Sequence, residues 1–186
     1  MTFCGLCLTG GLHMDGLMDT CDAVFSRKDL KTRLEILSDT HVGAFAVMGC
    51  VVLLLLKTAL FAELFASDRF FPSVILALIP VYSRIGLGLL CYQPFAREEG
   101  LARTLVGSRV CRDRFALWGI YAVSAAFFVS ILGLKGCIVP LAGGAFFLIY
   151  VRYCLEAFGG ITGDLMGAFV ELAETLMLFV LVVERG

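Results

Sequence analysis

The sequence predicts an all-α fold: a polytopic integral membrane bundle of about five transmembrane helices, with an acidic N-terminal helix on its cytoplasmic or interfacial side. Three observations carry that expectation. Of the 186 residues, 60% are hydrophobic and 17% are charged, where soluble domains hold about 45–50% apolar and about 25% charged residues. Five stretches reach the roughly 20 mostly apolar residues that a helix needs to cross the hydrocarbon. Basic residues gather in the connections at one end of those stretches. The length suits one domain over residues 1–186, and a net charge of −1 offers nucleic acid no basic field.

The chain opens without the basic n-region of a signal peptide. Cys4 and Cys7 form a lone C-x-x-C with no second pair to complete a zinc site, and most of the other cysteines lie in apolar runs, where they behave as small hydrophobes. The spans are Val42–Ala66, Phe70–Tyr92, Phe115–Leu134, Cys137–Phe158 and Asp164–Val183. Ser67-Asp68-Arg69 and Lys135-Gly136 leave room only for tight turns, whereas 26–41 and 93–114 are long and polar. Arg27, Lys28, Lys31 and Arg33 fall in the first long connection, and Arg97, Arg103, Arg109, Arg112 and Arg114 in the second. The opposite side carries only Arg69, Lys135 and Arg185. By the positive-inside rule, residues 1–41, 93–114 and 159–163 are cytoplasmic and the C-terminus is outside.

Ionisable residues inside membrane helices are costly and point to function. Lys57 and Arg84 lie too deep to reach water easily and call for polar partners inside the bundle. Glu63 lies near an outer end and reaches water, and Arg152 and Glu156 form an i,i+4 pair able to neutralise itself. Glu171 and Glu174 sit roughly 10 and 15 Å below the start of the last span. Together these groups outline a polar cavity open to the cytoplasm.

Two segments are acid-rich. Thr9–Asp22 reads T-G-G-L-H-M-D-G-L-M-D-T-C-D, with Asp15, Asp19 and Asp22 at i, i+4 and i+7. At about 100° per residue these fall within about 60° of arc, and three like charges on one helix face persist comfortably only against cations. Oxygen ligands of this kind suit Mg²⁺ or Mn²⁺ better than zinc. The plainer reading is a solvated acidic face, against which stand the apolar Leu12, Met14, Leu17 and Met18 between the acids. Gly159–Glu174 reads G-G-I-T-G-D-L-M-G-A-F-V-E-L-A-E. Glycines ahead of a helix let N–H groups approach a phosphate, which makes Gly160, Thr162 and Gly163 candidate phosphate contacts. Asp164 at that terminus would repel a bare phosphate and fits one bridged by a metal, and the plainer reading here is a Gly-rich turn with an Asp cap. Arg27 and Arg97 are the basic residues best suited to touch phosphate, the others serving topology and anionic lipid. A carboxylate-held metal flanked by cations is what phosphoryl transfer needs. No Walker A or G-x-S-x-G motif is present.

Thr9–Asp22 and Gly159–Glu174 resemble the signatures of the cobalamin synthase (adenosylcobinamide-GDP ribazoletransferase) family. Arg27, Arg33–Asp39, Val42–Phe45, Lys57, Ser83-Arg84 and Ala96–Leu101 follow that family's order, so the resemblance runs over essentially the whole chain. It implies a multi-pass enzyme of the cell inner membrane, acting late in cobalamin (vitamin B12) biosynthesis. Such an enzyme joins adenosylcobinamide-GDP to α-ribazole or its 5′-phosphate, releasing GMP with Mg²⁺. Asp15, Asp19, Asp22 and Asp164 would bind Mg²⁺ and the diphosphate, and His13, Glu171 or Glu174 would accept the hydroxyl proton. Arg27, Lys57, Arg84, Arg97, Gly160, Thr162 and Gly163 would contact substrate. Membrane lipid is an expected partner, and self-association is left open. Family members usually carry a further N-terminal membrane segment, which this sequence lacks, and His41 stands where relatives tend to have Arg. A partial match of Gly11, Asp15 and Asp19 to the CDP-alcohol phosphotransferase metal motif is fainter. The rival reading is a small ion-coupled transporter using Lys57, Arg84, Glu171 and Glu174 as a relay.

Overall fold

The computed structural model describes residues 2–66, 73–96 and 114–185. Its helices are α1 (Thr2–Thr9), α2 (Leu12–Phe25), α3 (Leu30–Ile36), α4 (Ala44–Ala66), α5 (Ser73–Leu90), α6 (Arg114–Leu132), α7 (Ile138–Phe158) and α8 (Gly163–Arg185). A 3-10 turn over Gly133–Cys137 joins α6 to α7. The described residues contain no strand, only an isolated bridge between Phe95 and Ile161. The connection at 67–69, the start of the second span and Arg97–Asp113 lie outside the described residues.

Composition and length account for the spans. The 23 residues of α4 rise roughly 34 Å, more than the ≈ 30 Å hydrocarbon thickness. Among the described residues Ala44–Ala66, Phe115–Phe158 and Gly163–Glu184 are long and apolar enough to cross a bilayer, and Leu76–Leu90 is a shorter apolar helix. Phe115–Phe158 is an out-and-back hairpin: Tyr121 Oη donates to the Pro140 carbonyl at 2.5 Å, whereas 19 residues of straight helix would span about 28 Å. The five apolar segments of the sequence reading are therefore present, with described ends within three residues of the expected limits.

α8 is the central helix. Of its apolar window 61% is buried, against 22% for α4 and 11% for the α6–α7 hairpin, so the outer helices present Val52, Leu55, Val123 and Leu148 outward as lipid-facing surface. Leu165, Phe169, Val170, Met177 and Leu181 of α8 are nearly inaccessible. Phe146 and Tyr150 of α7 pack on Phe169, and Tyr150 Oη donates to the Leu165 carbonyl at 2.6 Å.

α2 runs antiparallel to the first turns of α8, and two glycines set the separation. A Cβ on Gly16 would stand 2.7 Å from the Asp164 carbonyl oxygen and 2.9 Å from its Cα, and one on Gly167 would stand 3.1 Å from the His13 carbonyl oxygen. Small residues facing each other let helix backbones come this close.

α1 folds back against the bundle ahead of α2. Gly10 and Gly11, with φ of 61° and 80°, reverse the chain between α1 and α2 in a conformation that side chains resist. Leu6 and Thr9 then line a cavity with Glu174 and Leu178, roughly 16 and 22 Å along α8 from its start. The segment Phe3–Leu8 carries no charge, which suits the mainly apolar lining of that cavity.

Candidate active site

The acidic residues of both motifs meet at one end of the bundle. Because Gly16 seats α2 against Asp164, the Asp15, Asp19 and Asp22 carboxylates share a field with that of Asp164. Burial, followed by Asp15, Asp164 and Asp22, pushes the Asp19 carboxyl from 3.8 up to about 6. Asp15 is exposed, and Asp19 and Asp164 are half-buried. Among the described residues no three His, Cys, Asp or Glu side chains converge into a closed metal cage; the carboxylates are close enough to feel one another's charge without converging. The donor set is nonetheless all oxygen and strongly anionic, which fits a hard divalent cation.

Asp22 has a second duty that its spacing did not announce. It accepts hydrogen bonds from the Gly43 N–H at 2.7 Å and the Ala46 N–H at 2.9 Å, so it caps the N-terminus of α4 from another segment of chain. A carboxylate there satisfies orphan donors and meets the positive end of the helix dipole. Asp22→Ala is expected to cost about 1–2 kcal/mol, whereas Asp15→Ala on the exposed face costs little. Denaturation of the two variants in detergent compares them.

The Gly-rich turn is structural before it is anything else. Ile161 N–H donates to the Pro94 carbonyl at 2.8 Å and Ala96 N–H to the Ile161 carbonyl at 3.0 Å. Gly160 permits this pairing, since a Cβ there would lie 2.5 Å from the Ala96 nitrogen. Thr162 is the cap of α8: its Oγ1 accepts from the Leu165 N–H at 3.3 Å and its carbonyl from the Met166 N–H at 3.1 Å. The plainer reading of this turn had offered Asp164 as the cap. Gly163 is exposed at the first position of α8. The pairing also ties the chain just ahead of Arg97 to this turn; Arg97 itself lies outside the described residues.

Deeper in the bundle the isolated charges find one another. Lys57 Nζ donates to Glu171 Oε2 at 2.5 Å and to Glu174 Oε2 at 3.4 Å. Glu174 Oε1 accepts from Ser83 Oγ at 2.9 Å and from Arg84 Nη1, which also donates to Ser83 Oγ at 2.7 Å. Two acids and two bases make a neutral network across α4, α5 and α8. In α5 it follows Pro80, which has no N–H to donate, and the Pro80 carbonyl, also 2.9 Å from Ser83 Oγ, competes with Glu174 for the one hydroxyl proton. Lys57 and Glu171 are 8% and 10% exposed, so removing one partner strands a buried charge. Lys57→Met is expected to destabilise by about 3–5 kcal/mol, and adding Glu171→Leu to recover much of it. Thermal unfolding of the two single variants and the double variant reads the coupling.

His13 lies between the two groups. Burial and then the Arg84 guanidinium hold its imidazole below the ordinary value, against the opposing Glu171 and Glu174 carboxylates. It is therefore a neutral base at neutral pH. Arg27 is exposed just past the end of α2 with a φ of 54°, a left-handed conformation that costs a non-glycine residue roughly 1 kcal/mol. The remaining charges follow plainer rules. Arg152 and Glu156 pair at 2.8 Å on an exposed face, Glu63 is exposed, and His41 pairs with Asp39 at 2.7 Å at the surface. Sequence reasoning missed the Gly16–Gly167 crossing and the roles of Ser83, Asp22 and Thr162. A glycine one residue after Asp15 and another three after Asp164 was the available signal.

Fold and site together define a polytopic helical membrane protein with an acid-rich polar centre at one end of the bundle. The model of the cobalamin-5-phosphate synthase family matches residues 1–182, and the chain belongs to that family. It is 35% identical over 177 residues to a Clostridium botulinum (strain Loch Maree / Type A3) protein named adenosylcobinamide-GDP ribazoletransferase, covering 94% of this chain and 68% of the relative. Proteins of the same name from Desulfitobacterium hafniense (strain Y51) and Geobacillus kaustophilus (strain HTA426) are 38% identical over 176 residues and 36% over 182. These matches cover 93% of this chain in both cases, and 68% and 67% of the relatives. No solved structure matches the chain.

Proposed function

We propose that the chain joins adenosylcobinamide-GDP to α-ribazole or its 5′-phosphate and releases GMP, at the cytoplasmic face of the cell membrane. The observation that carries this reading is the α2–α8 crossing, which brings the acids of both motifs into one field in a member of this family. Asp15, Asp19 and Asp164 would hold Mg²⁺, with Asp22 lending the lone pairs that its capping bonds leave. Bound there, Mg²⁺ supplies neutralisation of the diphosphate charge.

The chain's own residues do the rest. Neutral His13 accepts the proton of the ribazole hydroxyl. The freed oxygen attacks the phosphorus on the cobinamide side of the diphosphate, and the bond from that phosphorus to the bridging oxygen breaks. GMP leaves with the electron pair. Glu171, paired with Lys57, and Glu174, held by Lys57, Ser83 and Arg84, act as counter-charges and leave the proton to His13. Arg27 and Arg97 supply cations for the phosphates on the same side of the membrane. The buried relay is the one feature in favour of an ion-coupled transporter, and family membership weighs against it.

Purified chain in proteoliposomes, given adenosylcobinamide-GDP, α-ribazole and Mg²⁺, is expected to form GMP and the joined corrinoid in equal amounts. Failure to release GMP with either α-ribazole or its phosphate contradicts the reading.

A further inference from the structure

Below the acid group, the Lys57–Glu171–Glu174–Arg84 network forms one end of a cavity of about 230 Å³ whose other walls, Thr9 apart, are mainly apolar, among them Leu54, Phe61, Ile79 and Leu178. The cavity continues the acid stripe. Asp164, Glu171 and Leu178 are spaced seven apart on α8, and such a row drifts only about 20° per step while descending roughly 10 Å. From Asp164 to Glu171 is thus about the reach of a nucleoside from a sugar hydroxyl to the far edge of its base. Pockets for drug-sized ligands run from roughly 300 to 1,000 Å³, so this one suits a single bicyclic base and is far too small for a corrin ring.

The polar end offers both a donor and an acceptor: Arg84 has spare N–H groups, and Glu171, bonded to Lys57 through Oε2, keeps Oε1. Both Glu174 oxygens are taken by Lys57, Ser83 and Arg84. The recorded bonds of Arg84 use Nη1 alone, and its side chain is 40% exposed, which leaves N–H groups to donate. Guanine carries hydrogen-bonding groups around its whole rim, and in this cavity most of them would be buried unpaired against apolar walls. A glycosylated benzimidazole has no N–H and offers one ring-nitrogen lone pair, while its two methyl groups suit the leucine, isoleucine and phenylalanine walls.

Resting on the proposed function, we propose that this cavity seats the benzimidazole base of ribazole. The ring lies between Leu54, Phe61 and Ile79, its free nitrogen accepts a hydrogen bond from Arg84, and the ribose rises toward His13 and Asp164.

Initial-rate kinetics on the purified chain in proteoliposomes test this. Leu54→Phe, which fills the cavity, is expected to raise KM for α-ribazole by about tenfold or more and leave KM for adenosylcobinamide-GDP within twofold. Phe61→Ala, which enlarges it, is expected to turn over a riboside with a tricyclic naphthimidazole base that the unaltered chain rejects, a gain that misfolding cannot produce. The inference is overturned if Leu54→Phe raises KM for adenosylcobinamide-GDP instead, or if neither variant changes acceptor selectivity while GMP release persists. Should the unaltered chain release no GMP, the functional reading fails first, and equilibrium dialysis of labelled α-ribazole decides the site. Binding weakened by Leu54→Phe supports it, and no binding to the unaltered chain overturns it.

Discussion

Asp164→Asn and Asp15→Asn are expected to lower GMP release by about a hundredfold or more, the scale for losing one preorganised electrostatic contact to a reacting phosphate. Asparagine keeps the shape of aspartate and removes its charge. Without a cation the acids repel one another, and that repulsion helps push Asp19 up to about 6. Neutralising the exposed Asp15 therefore relieves repulsion, so metal-free Asp15→Asn should unfold at or above the temperature of the unaltered chain while losing activity. A residue needed only for folding would lose both together. Activity within threefold of the unaltered chain in both variants, with normal folding, contradicts the assignment.

Gly16→Val is expected to abolish transfer from a distance. Its Cβ would meet Asp164 backbone at 2.7–2.9 Å, and backbone cannot step aside as a side-chain tip can. α2 must move off α8, carrying Asp15 and Asp19 away from Asp164, and misplacement by about 1 Å is enough to cost about a hundredfold in rate. Overpacking adds about 1–3 kcal/mol of destabilisation. Gly167→Ala faces contacts of 3.1–3.4 Å and should be milder. Activity assays and thermal unfolding in detergent rank the pair; equal effects, or a milder Gly16→Val, contradict the account of the crossing.

The spans were legible in the sequence because each is a run of about 20 apolar residues bounded by charge. So was the turn at Lys135-Gly136, which the α6–α7 hairpin realises. The need of Lys57 and Arg84 for partners could also be read, because burial of an unpaired charge is prohibitive. Their partners could not: Glu171 lies 114 residues from Lys57, and spacing along one helix says nothing about which helix packs beside it. The same limit hid Asp22, whose capping targets lie 21 and 24 residues on. Three acids at i, i+4 and i+7 share a face, but geometry within one helix does not tell which of them a neighbouring helix end will claim.

Thermal unfolding of the unaltered chain and of Asp164→Asn, with and without Mg²⁺ across pH, tests the shared acid site most directly. Asp19 binds its proton more tightly folded, at about 6, than at its ordinary 3.8, so the metal-free protein loses stability as pH rises between those values. A bound cation removes that penalty. Mg²⁺ should therefore raise Tm most above pH 6, progressively less as pH falls toward 4, and far less in Asp164→Asn at any pH. An Mg²⁺ shift that is absent above pH 6, or that Asp164→Asn leaves intact, contradicts a single cation site built from the two motifs.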